Sequence, residues 1–132
     1  MIKQLDVLNA VMNMLVDALH RPVGLAEIPS ESADVPYLIV YPILPDFAGP
    51  AYSSPYADGY FPVQVTSVGL RCDQAMWLAD RVREAVIEQN APITVNGAAE
   101  MGARTIELGP ELVEGDSVDT VVQRFVFRMT PA

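Results

Sequence analysis

The chain has 132 residues, about the size of one ordinary domain, so a single core suffices. Hydrophobic residues make up 51% of it and charged ones 19%, which argues against disorder and leaves apolar surface to spare for a partner. Its formal charge of −9, from 8 Lys plus Arg against 17 Asp plus Glu, opposes binding to a phosphate backbone, so nucleic acid is not an expected ligand, and such a surface would face passing DNA only as a repulsive, non-adhesive wall.

The lone cysteine, Cys72, excludes an internal disulfide framework and suits a reducing compartment. The N-terminal stretch MIKQLDVLNAVMNMLVDALH lacks the basic region, unbroken apolar run and cleavage site of a signal peptide. No run approaches the ~20 apolar residues of a membrane span, so synthesis in the cytosol and no membrane partner are expected.

In chain order, residues 3–20 read as a helix. Leu5, Leu8, Met12, Leu15 and Leu19 form one apolar stripe, and Val7, Val11, Met14 and Ala18 form a second beside it. Two stripes exceed what one sheet face requires, so a second helix or a neighbouring subunit should cover the excess. A short strand is expected at 23–26. YLIVYPI, 37–43, is a continuous run of strand formers, fit for a strand covered on both faces and ended by Pro42 and Pro45.

FPVQVTSVGL, 61–70, alternates, with Phe61, Val63 and Val65 pointing one way and Gln64 and Thr66 the other. Pairing with 37–43 makes a long hairpin whose tip, 45–59, carries Phe47, Tyr52 and Tyr56 among prolines, glycines and serines. DQAMWLADRVREAVIEQN is the second helix, with Asp73 as N-cap and Ala75, Leu78, Ala79, Val82, Ala85 and Val86 as its apolar face. Trp77 falls off that face, either under a loop or free to contact another chain.

Short strands are expected near 93–96 and 104–108, then an acidic loop GPELVEGDSVD, then a final strand TVVQRFVFRM. In that last strand Phe125, Phe127 and Met129 share one face, and Arg124 and Arg128 the other. The order predicts an α+β fold in one domain spanning 1–132: two helices packed on a largely antiparallel sheet, with a protruding β-hairpin.

Chemistry-bearing patterns are scarce. His20 is the only histidine, and with one cysteine it cannot build a four-ligand zinc site without carboxylates. A Cys72–His20 nucleophile pair is formally possible, but nothing ties the end of the first helix to Cys72. There is no G-x-S-x-G elbow or phosphate loop. Glu111, Glu114, Asp116 and Asp119 lack calcium-loop spacing and read as a solvated loop. No catalytic, cofactor or metal site is therefore expected. Arg81 and Arg83 on the second helix, with Arg124 and Arg128 on the last strand, form either scattered surface charge or a basic stripe that meets acidic loops of a neighbouring subunit.

The segment FPVQVTSVGLRCDQAMWLADRVREAVI, 61–87, resembles the strand, tight turn and amphipathic helix of tail terminator proteins from long, non-contractile-tailed bacteriophages. QVTSVG followed by DQAMWLADRVREAV carries the likeness most closely. The family's plan extends to the N-terminal helix, the PYLIVYPI strand entering the hairpin, and the last strand VDTVVQRFVFRM.

The resemblance implies a non-enzymatic virion protein at the tail-to-head junction, assembled in the host cytoplasm. Such a protein forms a hexameric homo-oligomeric ring on the tail tube, ends tube growth and docks the neck, or connector, of the capsid. It makes Phe47, Tyr52 and Tyr56 expected docking residues for tube or neck, the alternative being a loop that caps its own sheet. Trp77, Arg81, Arg83, Arg124 and Arg128 become expected subunit contacts. Two other readings stand beside it: a head-side neck adaptor or stopper, and a small-ligand-binding α+β module with a pocket lined by Tyr37, Tyr41 and Trp77.

Overall fold

A computed structural model describes residues 3–29, 34–43 and 60–131. The first helix, α1, spans Gln4–Leu19 and ends where His20 turns left-handed (φ 56°) and donates its backbone N–H to the Val16 carbonyl. It buries Val7, Leu8, Val11, Met14 and Leu15, so both apolar stripes contribute to the core. Leu5 of the first stripe stays exposed, as does Val16, which lies outside both stripes.

The strands β1 (Val23–Leu25), β2 (Tyr37–Pro42), β3 (Tyr60–Gly69), β4 (Ala98–Glu114) and β5 (Asp119–Pro131) form one sheet in the order β1-β2-β3-β5-β4. Only β1 and β2 run parallel; the other neighbours are antiparallel. The fold is α+β, with two helices on a largely antiparallel sheet. The expected pairing of 37–43 with 61–70 forms, with Leu38 opposite Ser67 and Val40 opposite Val65. The tip of that hairpin, with Phe47, Tyr52 and Tyr56, lies outside the described residues.

The second helix, α2, spans Cys72–Arg83 and continues as a π-turn through Glu84–Glu88. Its first residue precedes the expected start, and Arg71, not Asp73, holds the N-cap position. The Gln74 side chain accepts the Leu70 N–H at 2.7 Å, so it serves the orphan donor ahead of the helix. Asp73 sits in the first turn, where its carboxylate still favours the helix dipole.

Both helices cover the same sheet face. In one core, Val7, Val11 and Leu15 of α1 and Leu78 and Val82 of α2 meet Leu38, Val40, Phe61, Val63, Val65, Phe125 and Phe127. Both aromatic residues of β5 are fully buried there, as the alternation requires. On the opposite face Tyr37, Ile39 and Val68 make a smaller cluster, which is why β2 reads as a continuous apolar run.

The C-terminal third differs from expectation. Residues 93–96 form no strand, although Ile93 and Val95 are buried. The expected strand at 104–108 and most of the expected acidic loop are one 17-residue strand, β4, and the turn is confined to 115–118. Gly109 and Pro110 look like breakers, but a register shift between Leu108 and Glu111 absorbs them. Gly109 has φ 101°, and a Cβ there would meet the Val122 carbonyl. As an edge strand, β4 tolerates the proline.

Replacing Phe125 with alanine is expected to lower unfolding free energy by about 3–5 kcal/mol, whereas Leu112→Ala on the outer strand should change it by less than about 1 kcal/mol. Urea denaturation of the two variants measures the contrast; equal losses would mean that this core is misassigned.

Candidate functional site

Apolar side chains left in solvent define the surface that most needs an explanation. On α2, Met76 and Trp77 are 50% and 52% exposed, and Leu70 at the head of the helix is 62% exposed. On β4, Leu112, Val113 and Ile106 are exposed as well, and of these Leu112 turns to the α2 side, opposite Val121. The helix spacing that buries Ala75, Leu78, Ala79 and Val82 turns Met76 and Trp77 outward.

Between α2 and β4 runs a groove of about 70 Å³ lined by Met76, Ala79, Asp80, Pro110, Leu112 and Val121. A broader, open depression of about 580 Å³ borders Leu70, Arg71, Asp73, Gln74 and Trp77. The Arg81 guanidinium lies over the Trp77 ring, 5.7 Å from its centre. That stacking holds the indole upright and leaves the cation at the surface. Glu84 and Glu88 are engaged further along the helix. Glu88 pairs with Arg83 at 3.2 Å, and Glu84 accepts from the Gln89 side chain at 3.2 Å.

The four arginines, read from the sequence as either scattered charge or one basic stripe, occupy two surfaces. Arg81 and Arg83 project from α2. Arg124 and Arg128 lie on the face of the sheet away from both helices, because Phe125 and Phe127 take the helix side. Arg124 donates to the Gln64 side chain at 3.3 Å, and Arg128 stacks over Tyr60 at 5.3 Å. The Tyr60 hydroxyl faces Glu107 at 3.5 Å. Partial burial first, then the Glu107 charge and hydrogen bond, push the Tyr60 phenol above its usual range against the opposing pull of Arg128.

The proposed ligand pocket is also divided. Tyr37 clusters with Ile39 and Val68 on the helix-free face, whereas Trp77 stands on the outer side of α2. The sheet separates them, so Tyr37, Tyr41 and Trp77 line no common cavity. His20 ends α1, and Cys72 is an exposed thiol at the first turn of α2. Among the described residues no group of three or more His, Cys, Asp or Glu side chains is placed to hold a metal ion.

Residue-by-residue reading missed Arg104. The end of the second helix turns at Asn90 (φ 48°), and the Ala91 N–H reaches back to the Ala85 carbonyl. From β4 the Arg104 guanidinium donates to the Val86 carbonyl at 3.3 Å and to the Ala91 carbonyl at 2.6 Å, while stacking 5.4 Å from the centre of the Phe127 ring. Burial pushes its pKa below the usual arginine range. One planar group thus ties the helix end to the edge strand and orients the α2 surface against β4. The only sequence signal was an arginine facing inward in an apolar alternation.

No protein-family model matches this chain, and neither does any curated protein. Solved structures do share its fold. One of them, a protein whose name states no activity, superposes with a TM-score of 0.56 at 16% identity, covering 98% of this chain and 99% of the other. Identity that low speaks for the fold alone.

Replacing Arg104 with lysine should cost about 1–3 kcal/mol of stability, because an ammonium cannot bridge two carbonyls in one plane while stacking on Phe127. Thermal and urea unfolding measure it. A lysine variant as stable as the parent protein would show that the clamp contributes nothing.

Proposed function

We propose that this protein is a structural ring subunit that caps the head-proximal end of a phage tail tube, ends tube growth and presents the docking surface for the capsid neck. The observation that carries the reading is the uncovered α2 surface. Trp77, Met76 and Leu70 sit in solvent on the very segment, 61–87, whose sequence resembles tail terminators. Large half-exposed aromatic and methionine side chains beside an arginine are what a protein interface uses for anchoring. A ring needs such anchors on every copy, and it needs no catalytic residue.

In this reading the α2 surface meets a sister subunit. The hairpin tip with Phe47, Tyr52 and Tyr56 reaches toward tube or neck, since aromatic rings supply contact area at low entropic cost. The helix-free face with Arg124 and Arg128 is a further subunit or tube contact. The negative charge of the chain keeps passing DNA from adhering.

Tails assembled without this protein are expected to carry overlong tubes that fail to join filled heads, and adding the purified protein should restore both length and joining. Electron microscopy of tube lengths reads the result. Normal tubes that join heads in its absence would overturn the proposal.

A further inference from the structure

The solvent-facing side of α2 carries its charges in a definite order. Trp77 stands near the middle of the helix, with Asp73 four residues before it and Arg81 four residues after it, and all three are exposed. Residues at this spacing lie along one row of a helix, and the rise per residue sets each charge about 6 Å from the tryptophan along the axis, on opposite sides of it. The row therefore reads acid, aromatic, base. Met76 is exposed beside it.

The subunit engages the two ends of this row only loosely. Arg81 rests on the Trp77 ring and lies within ion-pair distance of no carboxylate among the described residues. Asp73 has Arg71 at 3.8 Å, with both side chains largely in solvent, an arrangement that contributes little. The open depression of about 580 Å³ bordered by Leu70, Gln74 and Trp77 leaves room beside Asp73.

Such a row is complementary to itself in one orientation. Two copies of α2 set antiparallel about a two-fold axis at Trp77 bring Asp73 of each opposite Arg81 of the other, while the indoles and the Met76 side chains meet near the axis. Asp80 then comes level with Gln74 of the other copy and not with a second carboxylate. A parallel pair would set Asp73 against Asp73 and Arg81 against Arg81, which is unfavourable twice over.

We infer that the α2 surface is covered by the α2 surface of a second copy, antiparallel and two-fold related, with Arg81 of each copy seated in the depression beside Asp73 of the other. The contact is isologous and ends at two copies. Ring closure then falls to other surfaces, such as the helix-free face, and the pairing goes beyond the tail-tube reading without depending on it.

Charge reversal tests the pairing, and the single tryptophan reports on it. By sedimentation the parent protein is expected to pass from monomer to dimer as its concentration rises, with Trp77 emission shifting to the blue. Arg81→Asp and Asp73→Arg each turn both attractive pairs into like-charged ones, so each variant alone should associate about tenfold more weakly, or less still. Mixed in equal amounts, the two variants are complementary at both ends and should form a 1:1 dimer. Both changes in one chain should also recover the dimer. Both positions are exposed, and circular dichroism melting close to that of the parent protein verifies folding.

A parent protein that remains monomeric at millimolar concentration, variants that associate as the parent protein does, or a mixture that fails to pair would each overturn the two-fold contact. None of these results bears on the tail-tube reading, which tube lengths decide. Dimers that follow the charge exchange would stand even if tails made without this protein were normal.

Discussion

The antiparallel pairing of β3 with β5 is the constraint on which the rest of this structure depends. It sets Phe61 opposite Phe127, Val63 opposite Phe125 and Val65 opposite Gln123. These cross-strand pairs form the floor against which both helices pack. Because strand side chains alternate strictly, the same register that sinks Phe125 and Phe127 beneath the helices sends Arg124 and Arg128 to the opposite face. A slip of one residue would exchange these sets and bury two arginines. In the interior, the Gln123 side-chain amide donates to the Ala79 carbonyl of α2 at 3.3 Å, while its Oε1 has no partner among the described residues.

The use made of the few cations is unusual for so acidic a chain. Among the described residues only Arg71 and Arg83 lie within ion-pair distance of a carboxylate, one at each end of α2 and both near the surface. Arg21 donates to the carbonyls of Asp34 and Pro36, and Arg104 to those of Val86 and Ala91. Arg81, Arg104 and Arg128 lie over aromatic rings. A planar, weakly hydrated guanidinium can do these things where an ammonium cannot. The arginines therefore serve to fix loop, helix end and aromatic orientation, and the carboxylates are left mostly to solvent.

An exposed apolar surface in a chain of this composition is coupled to that economy. Arg104 secures the end of α2 to β4, and the α2–β4 groove exists only because those elements are held side by side. The apolar residues of α1 that the core does not cover lie at the far edge of the same layer. Apolar side chains left in solvent and a net charge that discourages unspecific adhesion are the features on which the ring role proposed above draws.

Much of the fold was legible in the chain itself. The 3.6-residue recurrence of Val7, Val11 and Leu15, and of Leu78 and Val82, and the two-residue alternation of Phe61, Val63 and Val65 and of Phe125 and Phe127, are local patterns that state which side of each element is buried. They sufficed for two helices, the β2–β3 pairing, the orientation of β5 and the outward turn of Trp77. Tertiary structure alone decided the rest. Whether Gly109 and Pro110 break a strand or sit in a bulge depends on the partner strand opposite them, which no window of sequence contains. The separation of Tyr37 from Trp77, the division of four arginines between two surfaces and the reach of Arg104 to two carbonyls likewise depend on contacts between residues far apart in the chain. Periodicity determines a side chain's face; only packing determines what it faces.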